Sequence, residues 1–110
     1  MQKITVNNKD YYLKVTTSAI MNMEERLGIQ PINIFARFMR TEELPKLTDV
    51  LIMLHCALQP LNAGVSFNDV KKMYDDICAE TGNGFEAVME PLLLAFKESG
   101  FIKFEEDPNV

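Results

Sequence analysis

The segment Val50–Leu58 constrains the fold most, because Val50, Leu51, Ile52, Met53, Leu54, Ala57 and Leu58 are apolar on nearly every side of a helix. A helix of that kind must be enclosed by its neighbours, so the rest of the chain has to supply elements with one apolar face each. Thr48 is read as its N-cap, and Gln59-Pro60 as its stop, since the residue before proline disfavours the α region.

The neighbours can be read off in order. Ile4, Val6, Tyr11, Leu13 and Val15 alternate with polar residues on either side of Asn7-Asn8-Lys9-Asp10, the period of two expected of a β-hairpin with that polar run as its turn. Its apolar face is Ile4, Val6, Leu13 and Val15, and it needs helices to pack against. Thr16, Thr17 or Ser18 caps a first helix carrying Ile20, Met23 and Leu27, ended by Gly28. Pro31 opens a second, with Ile34, Phe35, Phe38 and Met39 as its stripe, ending near Arg40 or Thr41. After the buried helix, Ser66 and Asp69 have capping-box spacing, and a fourth helix runs to about Glu80 with Val70, Met73, Tyr74 and Ile77 inward. Gly82-Asn83-Gly84 breaks the chain. The last helix spans about Phe85 to Ser99 with Val88, Met89, Leu92, Leu93 and Phe96; its internal Pro91 predicts a kink or a start at Glu90. The fold class is therefore mainly α with an N-terminal β-hairpin (α+β), a compact bundle of about five helices. One domain covers 1–110: a hairpin over 1–16, helices over 17–100 and a tail over 101–110, with Thr41–Lys46 as the expected mobile loop.

A content of 47% apolar residues suffices for one core. The net charge of −5, from 16 acidic and 11 basic side chains, disfavours a nucleic-acid partner, whose phosphates are bound by clustered Lys and Arg. The longest apolar stretch is well short of the roughly 20 residues that span a membrane. No signal peptide is expected, and a cytoplasmic location is the default. Cys56 and Cys78 lack metal or redox spacing and are read as buried small hydrophobes in a reducing compartment.

No catalytic set is legible. His55, the single histidine, lies in the most apolar segment, and its neighbour Cys56 diverges from it by the roughly 100° of one helical step; a half-buried histidine bonded to a neighbour is the favoured reading. The pairs Glu24-Glu25, Asp75-Asp76 and Glu42-Glu43, and the run Glu105-Glu106-Asp107, read as solvated charge rather than cation ligands. No cofactor, metal or phosphate-binding glycine loop is expected, and the chain is read as a binding protein rather than an enzyme. Among seven methionines, Met23, Met53, Met73 and Met89 fall in inner stripes, leaving Met21 and Met39 as exposed contact candidates. Phe101, Ile102 and Phe104 are the stronger partner-binding candidates, with docking within the chain favoured over an open surface and a short added strand as one form of it.

The runs Ile4-Thr5-Val6-Asn7, Tyr11-Tyr12-Leu13-Lys14-Val15-Thr16 and Ala19–Gly28, the last carrying Met23-Glu24-Glu25-Arg26-Leu27-Gly28, resemble the opening of the tail assembly chaperones of long-tailed bacteriophages and related gene transfer particles. Leu47–Leu58 followed by Ser66-Phe67-Asn68-Asp69-Val70 is similar to their later pattern, so the resemblance extends to about Phe96. It implies a protein of the bacterial host cytoplasm, absent from the mature virion, that binds the tape measure protein and keeps it soluble while tail tube protein polymerises around it. Self-association and a longer frameshifted product also occur in the family. The client groove is expected between the first helix and the Thr41–Lys46 loop or beside the C-terminal tail. Two other readings stay open: a minor structural tail protein of the tube or completion type, and a small phage or bacterial regulator that binds a host protein.

Overall fold

The computed structural model describes residues 1–101. In chain order it contains β1 (Lys3–Val6), β2 (Lys9–Tyr12), α1 (Thr17–Leu27), α2 (Pro31–Thr41), α3 (Leu47–Leu58), α4 (Phe67–Thr81) and α5 (Gly84–Ser99). This is the expected hairpin followed by five helices.

The hairpin turn is shorter than expected. Asn7 and Asn8 both take left-handed backbone angles, with φ of 53° and 64°, which makes a two-residue turn of the kind whose twist matches the strands it joins. Lys9 and Asp10 are consequently strand residues, paired with Val6 and Thr5. Asp10 is held there by Thr5 Oγ1, which donates at 2.6 Å, and by Lys3 Nζ at 3.1 Å. Leu13 and Val15 lie beyond β2 yet keep its inward alternation and are buried with Ile4 and Val6. The Lys14 amide donates to the Ala57 carbonyl at 2.9 Å, fastening the exit of the hairpin to the end of α3.

The helix boundaries follow local chemistry with two corrections. Thr16 caps α1, accepting from the Ala19 amide at 3.1 Å. Thr48 does not cap α3: the helix starts one residue earlier, at Leu47, with Lys46 in the N-cap position and no side-chain bond there. Asp49 in the first turn offsets the positive end of that helix instead. At the other end Gln59 stays in the α region despite the following proline. The stop comes from Pro60, which lacks an amide hydrogen, and from Asn62, whose amide and side chain both donate to the Leu58 carbonyl. The Ser66–Asp69 capping box is present with both bonds. α5 runs unbroken through Pro91 from Gly84 rather than beginning at Glu90.

α3 sits at the centre, packed against α1, α4 and α5. Val50, Met53, Leu54, Ala57 and Leu58 are fully buried, as the all-round apolar pattern requires. α2 is attached through its aromatic face, Phe35 edge-on to Phe96 at 5.0 Å and Phe38 to Phe85 at 5.9 Å. Cys78 is half-buried rather than buried, and Gly84 at the start of α5 is laid directly against its sulfur.

Candidate partner-binding cleft

Two consecutive joints, α1 to α2 and α2 to α3, build a cleft. Gly28, at φ 74°, closes α1 and throws Ile29 outward before Pro31 begins α2. α2 ends at Glu42, a non-glycine residue at φ 58°. Thr41 Oγ1 donates to the Arg37 carbonyl at 2.8 Å and accepts from the Glu43 amide at 3.1 Å, and the Arg37 guanidinium pairs with Glu43 at 3.0 Å. These bonds turn the chain back so that Leu44-Pro45 faces the end of α1.

The resulting cleft of about 540 Å³ has an apolar lining of Leu27, Ile29, Ile34, Leu44 and Pro45, with Asn33, Arg37, Glu43, Lys46 and Asp49 completing it. Ile29 is 50% exposed and Leu44 63%, and Leu47 next to the rim is 45% exposed. Covering such side chains returns roughly 1 to 2 kcal/mol each at ~25 cal/mol per Å². The charges are of both signs and partly neutralise each other, so the cleft offers apolar contact with a polar edge, the arrangement that accepts one face of an amphipathic helix.

The cleft lies at one of the two places where a client groove was expected, between the first helix and the Thr41–Lys46 loop; the other, beside the C-terminal tail, falls largely outside the described residues. Its lining residues were not foreseen. Ile29 and Leu44 belong to no helical stripe; the available signal was their apolar character in short connections bounded by Gly28 and Pro31 or by Glu43 and Pro45. Met21 and Met39 are exposed, at 61% and 52%, but stand on α1 and α2 outside the cleft lining. Phe101, just beyond α5, is 52% exposed, so its ring is not docked in the core. Ile102 and Phe104, and the strand considered for that tail, lie outside the described residues. None of the three described candidates, Met21, Met39 and Phe101, lines the cleft.

His55 is half-buried and bonded to neighbours on both sides, Arg26 Nη1 at 2.8 Å and the Val65 carbonyl at 3.0 Å. Burial holds its ring below the usual histidine range, and the Arg26 charge acts in the same direction, against the raising effect of the Val65 bond. The same guanidinium reaches Cys56 Sγ at 3.4 Å, yet burial still pushes that thiol up, away from the thiolate form. Among the described residues no group of three or more His, Cys, Asp or Glu is placed to hold a metal, and no helix is long and apolar enough to cross a membrane.

Comparison of the chain with protein-family models, with curated proteins and with solved structures gives no match.

Proposed function

We propose that the protein is a tail assembly chaperone of a long-tailed phage or gene transfer particle, holding apolar helical segments of the tape measure protein until tail tube protein encloses them. The observation that carries this reading is the cleft between the end of α1 and the 42–46 loop, where Ile29 and Leu44 stand exposed over an apolar floor. A holdase needs such a surface, open and with its charges balanced, on a scaffold that does not depend on the client for its own core. The hairpin-to-helix junction that bears the resemblance, Tyr11–Gly28, leads directly into that cleft through Leu27 and Ile29.

The test is co-expression with a tape measure fragment. The chain is expected to raise the soluble fraction of the fragment and to co-purify with it. Ile29→Asp with Leu44→Asp is expected to abolish both effects while leaving the melting temperature close to that of the parent, because both side chains are already largely in water. Absence of any gain in solubility from the parent chain would sink the proposal. Finding the chain in purified particles would favour the structural tail component instead.

A further inference from the structure

The hydrogen bonds of His55 can be satisfied by only one form of the ring. A guanidinium carries donors alone, so Arg26 Nη1, at 2.8 Å, requires a bare Nδ1. A backbone carbonyl only accepts, so Val65 at 3.0 Å requires the proton on Nε2. Together they select the neutral Nε2–H tautomer. Arg26 is the penultimate residue of α1, and Leu27 and Ile29 directly after it form one wall of the cleft. We propose that Arg26 and His55 form an acid-sensitive latch: a proton on Nδ1 breaks the bond to Arg26 and frees the last turn of α1, loosening the Leu27–Ile29 wall.

The surroundings offer the imidazolium only the Val65 carbonyl, which accepts from Nε2 in either form of the ring. From α1 the ring faces Arg26. Its own helix contributes the neutral Cys56, and the residue that ends it, Gln59, donates to the same Val65 carbonyl at 2.8 Å. From α4 it meets the ring of Phe67 edge-on at 5.8 Å, and Lys71 lies over the same ring at 5.6 Å. Arg26 also lies over Phe67, at 5.3 Å. Two cations therefore share this corner, and among the described residues no carboxylate bonds to either Arg26 or His55. A third positive charge there is opposed by burial and by the Arg26 charge, which together outweigh the Val65 bond, whereas the unfolded chain takes up the proton freely. The latch thus contributes its full stability above about pH 6.5, the ordinary histidine value, and loses it as pH falls toward the lower value of the folded ring.

Because the chain has one histidine, its ring nitrogens can be followed alone by nitrogen NMR in the free protein. The expected result is the Nε2–H tautomer near neutral pH, a midpoint below about 6.5, and amide shifts at Leu27, Gly28 and Ile29 that move with the same midpoint. Arg26→Gln should raise the midpoint and uncouple those amides from it; His55→Gln should remove the step altogether. A proton on Nδ1 at neutral pH, or α1-end amides indifferent to the ring titration, would overturn the latch. Should His55→Gln not fold, the Arg26→Gln comparison decides alone. The consequence for the cleft rests on the docking proposal, but the titration does not: a failed titration leaves client binding standing, and a failed co-purification leaves the latch intact.

Discussion

α4 and the stretch from Ile29 to Leu47 face the same local task, starting and ending helices, and meet it in opposite ways. α4 opens on a reciprocal Ser66–Asp69 cap, closes on Gly82 at φ 69° and sends Val70, Met73 and Ile77 into the core. In the other region neither Gln30 nor Lys46 makes a side-chain cap, Glu42 occupies a left-handed angle that glycine would take without strain, and Ile29, Leu44 and Leu47 remain in water. Three small local costs thus fall together in one place, beside an apolar cleft, which is where the proposed client would dock. The difference teaches where to look for function in a small helical protein.

That contrast can be broken by experiment. The largest effect is expected in the centre: Leu54→Ala, at a side chain with no exposure, should cost about 2 to 5 kcal/mol in urea unfolding, against less than ~0.5 kcal/mol for Leu44→Ala. Equal losses would mean that Leu44 is part of the core and the cleft is not a free surface. Gly84→Ala should cost about 1 to 3 kcal/mol, because the added methyl group lands on Cys78 Sγ and near the Tyr74 ring. Cys78→Ala in the same chain should return part of that loss, and no recovery would show that the close approach of α4 and α5 is not set by this contact. The smallest pair carries opposite signs. Ser66→Ala should lose ~1 kcal/mol with its cap, while Glu42→Gly should gain up to ~1 kcal/mol by relieving the left-handed angle. A loss at Glu42→Gly would remove the argument that this joint is strained.

Local chemistry explains why so much of the scaffold was legible. The period of two before Thr16, the Ser66–Asp69 spacing and the glycines at 28, 82 and 100 act within a turn of chain, so their outcomes do not wait on the rest of the molecule. The misreadings arose where distant contacts decide. Thr48 looked like a cap by residue type, but α3 begins at Leu47 and leaves Thr48 inside its first turn. The four-residue polar run at the hairpin hid a two-residue turn, because Lys9 and Asp10 find partners only once the strands are in register. Met39 has the spacing of the α2 stripe and yet is exposed: the stripe is covered by α5 through Phe35 and Phe38, one residue short of it.

The order of elements and the central place of α3 follow from the residues alone, since an apolar surface on every side leaves a helix no other position. The cleft, and the bond that ties Arg26 to His55, were decided only in three dimensions. Ile29 and Leu44 are 15 residues apart, Arg26 and His55 are 29 apart, and nothing in their local sequence brings either pair together. They meet because α1 packs on both α3 and α2, a result of burying whole helical faces that no single residue encodes.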